Sequence, residues 1–204
     1  MKNALVYGMV LLCCSRLTLA GTPALNLTVV VDFKGSHSIR SETEMQQETQ
    51  KIIQDAGIHL IWRTADQASR NEYSDIVVVK IKGACMITPD PNIYDELGPP
   101  PGPYAFTWVT NGEVQPFAEV ACDRVAAAIR SAMWGGDYGK SDVLLGRALG
   151  RVLAHEIVHM LTHSGGHERE GVAKAALSGN QLIGKSLLLS PAELDRLKQE
   201  LTHR

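Results

Sequence analysis

The sequence predicts an α/β (α+β) fold: a small mixed sheet of about five strands, packed on one helix and on a second, long helix that carries the chemistry. Three observations lead there. A strand-like segment, a helix-like segment and two more strand-like segments follow one another from residue 25 to residue 82, an Asn-Gly turn signal adds a hairpin, and apolar residues from Leu144 to Val158 recur at helical spacing.

Leu25 to Phe33 (LNLTVVVDF) is β-branched and mostly apolar, which predicts a strand buried on at least one face. Glu44 to Ala56 is helical in composition, with Ser41 three residues ahead of Glu44 as a capping box and Gly57 placed to stop the helix. Strands follow at Ile58 to Arg63 and at Asp75 to Lys82, the latter alternating Val and Lys towards its end. Thr88 to Pro103 holds six of the nine prolines and is expected to be a loop. Tyr104 to Val109 and Val114 to Ala121 flank Thr110-Asn111-Gly112, a tight-turn signal, and so predict a hairpin. Pro116 lacks the N–H of a central ladder, so the second arm is expected at the sheet edge. Asp123 to Trp134 is alanine-rich and helical up to Gly135-Gly136. The long helix runs from about Asp142 to Thr162, with Gly165-Gly166 breaking it. Short helices are expected at Gly171 to Leu177 and at Pro191 to Leu201, the last with Ser190 as N-cap.

The 204 residues, 45% apolar and 21% charged, suit one domain with a sizeable core. A net charge of −2 without a like-charged block nominates no nucleic-acid partner. Lys2, the apolar run Ala4 to Cys14 and the small residues around Ala20-Gly21 have the layout of a secretory signal peptide over residues 1–20, leaving residues 21–204 as the domain. Such a run spans only about 16 Å as a helix, roughly half a bilayer core, so no membrane anchor is expected after cleavage. Export to the periplasm or beyond follows. Cleavage removes Cys13 and Cys14, and the survivors Cys85 and Cys122, in an oxidising compartment, are expected to pair.

Four of the seven histidines lie in His155 to His167, HEIVHMLTHSGGH. Residues four apart on a helix share a face, so His155 and His159 converge on one metal ion while Glu156 sits beside it, placed to hold a water. Two buried imidazoles beside a carboxylate are costly without a cation. A catalytic zinc wants a third protein ligand and an open position. His167 follows the Gly165-Gly166 turn, which brings the chain back under the ion; His163 continues the series along the helix; Glu168 and Glu170 are further alternatives.

This segment resembles the active-site helix of metzincin-type zinc peptidases, in which H-E-x-x-H is followed by a glycine turn and a third histidine. The element order is similar too. Two departures stand out: the clan's third histidine falls six residues after the second, where this chain has Gly165, and no methionine follows Met160 to form the clan's turn beneath the metal. The segments HSGGHEREGVAKAALS and PFAEVACDRV look closer to a group of small exported bacterial H-E-x-x-H proteins, a resemblance that favours His167 and the pairing of Cys85 with Cys122. That closer group implies no established substrate; the metzincin resemblance implies a metzincin-like fold and a zinc metalloendopeptidase acting on peptide or protein substrates through a zinc-activated water, with Glu156 as general base. Two other readings stay open: a non-catalytic protein with zinc closed in by all four histidines, and a zinc hydrolase of a non-peptide amide.

Overall fold

The structure, a computed structural model, describes residues 25–87 and 101–203. The signal-peptide reading and most of the proline-rich stretch lie outside the described residues. The apolar run Leu25–Phe33 forms β1, with parallel neighbours on both sides, β2 (Ile58–Thr64) and β3 (Ile76–Lys82). Residues 27–31 are all buried, as a strand covered on both faces requires. β4 (Ala105–Thr110) and β5 (Glu113–Ala121) form the expected hairpin, with Asn111 and Gly112 at φ 54° and 82° in its turn. The sheet order is β2-β1-β3-β5-β4, parallel except for β4.

That order corrects the position expected from Pro116. β5 is internal and β4 is the edge. Pro116 nevertheless costs no ladder bond. The β3 pairing begins only at Phe117, and on the β4 side the register shifts between Thr107 and Val109, so Gln115, Pro116 and Phe117 together face Trp108.

α1 (Ile39–Ile53) starts five residues earlier than composition suggested, and its cap is Ser38, which accepts from the Ser41 N–H at 3.0 Å; Ser41 sits buried in the first turn. A 3₁₀ turn and Gly57 at φ 81° end it, as expected of that glycine. A single turn, α2 (Ala65–Ala68), follows β2, and α3 (Cys122–Arg130) follows β5, stopping short of Trp134. α4 (Ser141–Thr162) is the expected long helix. It packs along α1 at glycine-to-backbone distance: a Cβ at Gly146 would lie 2.5 Å from the Ser41 carbonyl oxygen, and one at Gly150 would lie 2.8 Å from that of Met45. At this crossing Arg151, fully buried, donates Nε–H to Glu48 at 2.8 Å and its other nitrogens to the carbonyls of Gln181 and Gly184. The buried charge is therefore both paired and hydrogen-bonded, which offsets its desolvation.

α5 is Gly179–Ile183 and α6 is Pro191–Thr202, the latter with Ser190 and Pro191 placed as expected. Gly171 to Leu177 is not helical, because its backbone groups are bound elsewhere: Val172 N–H goes to Leu188 O and Ala173 N–H to the Glu193 carboxylate. One hydrophobic core runs through sheet and helices. Cys85 and Cys122 form a disulfide joining the chain after β3 to the start of α3. Among the described residues no helix is long and apolar enough to cross a membrane.

Candidate metal centre

His155 and His159 lie one turn apart near the end of α4, and their Nε2 atoms are 3.0 Å apart. The helix stops just past them. His163 is its C-cap, in the left-handed region at φ 48° and exposed, a conformation that histidine tolerates better than most side chains. The stop is therefore at His163 itself rather than at Gly165-Gly166. The turn carries His163 out of the cluster and brings His167 in: one ligand atom each of His155, His159 and His167 lies within 4.8 Å of the others. Of the carboxylates weighed for the third position, Glu168 is ion-paired with Arg196 and Glu170 is exposed.

The two helical imidazoles are oriented by backbone. His155 Nδ1 meets Val172 O at 2.9 Å and His159 Nδ1 meets Ser164 O at 2.6 Å. A carbonyl can only accept, so both Nδ1 atoms carry the proton and both Nε2 atoms present lone pairs. Two lone pairs at 3.0 Å repel unless a cation lies between them. Burial holds both rings neutral: it pushes His155 down to about 4, against the help of the Val172 carbonyl, and it lowers His159 likewise. The donor set fits zinc, whose bonds of about 2.0–2.1 Å in tetrahedral geometry put ligand nitrogens roughly 3.3 Å apart. Three imidazoles leave one position open.

Glu156 is 4% exposed, and burial pushes its carboxyl up to about 7. The Thr107 hydroxyl, from the edge strand β4, donates to its Oε2 at 2.6 Å and works in the opposite direction by favouring the ionised form. A carboxyl that titrates near neutrality beside a nitrogen cluster is the environment of a general base. Thr107 was not anticipated from the sequence, and neither were the Val172 and Ser164 carbonyls. A threonine in a strand carries no motif, and a backbone carbonyl has no signal in residue identity at all.

The cluster opens into a cavity of about 770 Å³ bounded by β4, by α3 and α4, and by the segment around Ala175–Leu177. Tyr104 and Pro103 lie on its wall. Apart from the histidines and Glu156, the charged side chains on the wall are Arg124 and Lys174.

No protein-family model matches the chain, and no curated protein matches it either. A solved structure does. Archaemetzincin (amzA) from Methanopyrus kandleri aligns over 91% of this chain and 99% of that chain, with a TM-score of 0.51 and 14% identity. At that identity the likeness is one of fold, and the mixed α/β fold read from the sequence is similar to that of archaemetzincin.

Proposed function

We propose that this protein is an exported zinc-dependent metallopeptidase, with His155, His159 and His167 as ligands and Glu156 as general base. The observation that carries the reading is the pair of bare Nε2 lone pairs 3.0 Å apart, with His167 beside them. Zinc held there would supply a Lewis acid and lower the pKa of a bound water. The remaining work falls to the chain. Glu156 Oε2 is held by Thr107, so Oε1, which accepts no hydrogen bond from the described residues, is the oxygen that takes the proton and later delivers it to the leaving amine. Among the described residues no strand pairs with the outer edge of β4, which borders the cavity, and this supports an extended peptide adding to that edge. Arg124 and Lys174 favour a substrate with a carboxylate near the scissile bond. Export rests on the layout of residues 1–20, and the Cys85–Cys122 disulfide is in keeping with it.

The closed four-histidine reading lacks its fourth ligand, since His163 is exposed and stands outside the cluster. The test is metal analysis of the purified chain with a cleavage assay on unfolded protein. One zinc per chain is expected, lost in the His167→Ala variant and retained in His163→Ala, and cleavage products should have new amino termini. Full zinc binding without cleavage of any peptide would redirect the reading to a non-peptide amide. Absence of bound zinc in the wild type would sink it.

A further inference from the structure

Among the described residues, capping boxes open three of the α-helices, α2, α5 and α6. Those at Thr64–Gln67 and Ser178–Gln181 are exposed, use glutamine, and close on their own helix. The box at the start of α6 differs. Its closing residue, Glu193, is fully buried, and its two carboxylate oxygens are divided. Oε2 accepts from the Ser190 N–H, as a capping box requires, while Oε1 reaches out of the helix to accept from the Ala173 N–H at 2.5 Å. The segment it grips lies tightly against it: Gly171 has φ 78°, and a Cβ there would come within 2.3 Å of Glu193 Oε2. The carbonyls beside the gripped N–H face the metal centre. Val172 O accepts from His155 Nδ1, and Ala173 O accepts from the N–H of Glu168, the residue next to His167, at 3.0 Å. A second tie from the same helix, Arg196 to the Glu168 carboxylate, holds that strand of the loop from outside.

We propose that Glu193 is a positioning residue for the metal centre: its buried carboxylate fixes residues 171–173 so that their carbonyls orient His155 directly and His167 through Glu168. This rests on the zinc reading above. The choice of glutamate is the discriminating detail. A capping box works with Glu or Gln, but only a carboxylate offers two acceptors, and an amide in its place would turn an NH₂ group towards either the Ser190 or the Ala173 N–H.

The experiment uses Glu193→Gln, with Arg196→Ala as a surface variant that cuts only the second tie and Thr64→Ala as a remote capping-box control. Zinc affinity of the full chain is read by chelator competition, and the His155 Nδ1 proton is followed by NMR in metal-free protein. Glu193→Gln is expected to weaken zinc about 10–100-fold, the range for loss of an outer support of a ligand, and to speed exchange of that proton. Arg196→Ala should weaken zinc less, and Thr64→Ala should lower the melting temperature with zinc affinity unchanged. Wild-type zinc affinity and an equally protected proton in Glu193→Gln would overturn the proposal and leave Glu193 a cap. If the wild type binds no zinc, the metal reading fails separately, and the proton decides: faster exchange in Glu193→Gln upholds the clamp, unchanged exchange removes it.

Discussion

The two halves of α4 are held by different means. The first half, around Gly146, Gly150 and Arg151, is fixed by close packing on α1 and by a buried ion pair, contacts made within regular elements. The second half, from His155 to His159, is oriented by single carbonyls of irregular chain, Val172 and Ser164, on segments that follow the helix. The first half thus sets where the helix lies, and the second sets where two ring nitrogens point. A sub-ångström demand on ligand direction is met by hydrogen bonds to loops, which can be tuned one residue at a time without disturbing the crossing of α1 and α4.

The sharpest way to break this division is to change chemistry in the second half alone. Glu156→Gln preserves shape and burial but cannot accept a proton, so turnover should fall by roughly 10²–10⁴ with zinc content and melting temperature intact. Steady-state cleavage with metal analysis checks it; activity surviving in this variant would mean that Glu156 packs the helix and does not serve the reaction. In the first half the order of effects should reverse. Arg151→Met leaves buried Glu48 facing the half-exposed Lys51 at 3.9 Å in place of its close guanidinium partner, and unfolding free energy in urea should drop by about 3–5 kcal/mol while folded protein still binds zinc. Loss of zinc at temperatures where that variant is folded would show that the halves are coupled.

Gly150→Ala tests the packing itself. Alanine would raise helix propensity by up to about 1 kcal/mol, yet the added carbon meets Met45 O and Glu48 Cβ at 2.8 Å, where backbone and helix axis must give way. Overpacking should win, with a net loss of about 1–3 kcal/mol in denaturant midpoints and unchanged activity per folded molecule. A more stable variant would mean that α1 and α4 can separate freely.

The same division governs what the sequence disclosed. Leu25–Phe33, the Asn111-Gly112 turn and the length of α4 were legible because burial and turn chemistry act through residue type at fixed spacing. His155, Glu156 and His159 were legible for the same reason, with four-residue spacing on a helix. Pro116 correctly signalled a missing ladder bond but placed the wrong strand at the edge, since a bulge on an internal strand removes that bond equally well. Ser41 and Ser38 are both good caps, and only the packing of Ser41 beneath Gly146 separates them. Gly171 to Leu177 has helical composition, but Glu193 and Leu188 compete for its N–H groups from far along the chain. Local pattern carries no record of such competition.

The smallest effect expected lies where the sheet meets the second half of α4. Thr107 is on β4, the strand proposed to receive substrate, and its hydroxyl is the donor that holds Glu156 Oε2. Thr107→Val keeps the shape and removes that donor. Without that bond the pKa of the Glu156 carboxyl must rise, because the lost hydrogen bond favoured the ionised form. A general base works only when ionised, so the acid limb of the pH–rate profile should move to higher pH, and the rate at neutral pH should fall several-fold, in keeping with a net hydrogen-bond contribution of about 1 kcal/mol. At alkaline pH, where Glu156 is ionised in both proteins, the difference should shrink. A rate loss of the same size at every pH would assign Thr107 to substrate placement along the strand edge and leave the titration of Glu156 to burial alone.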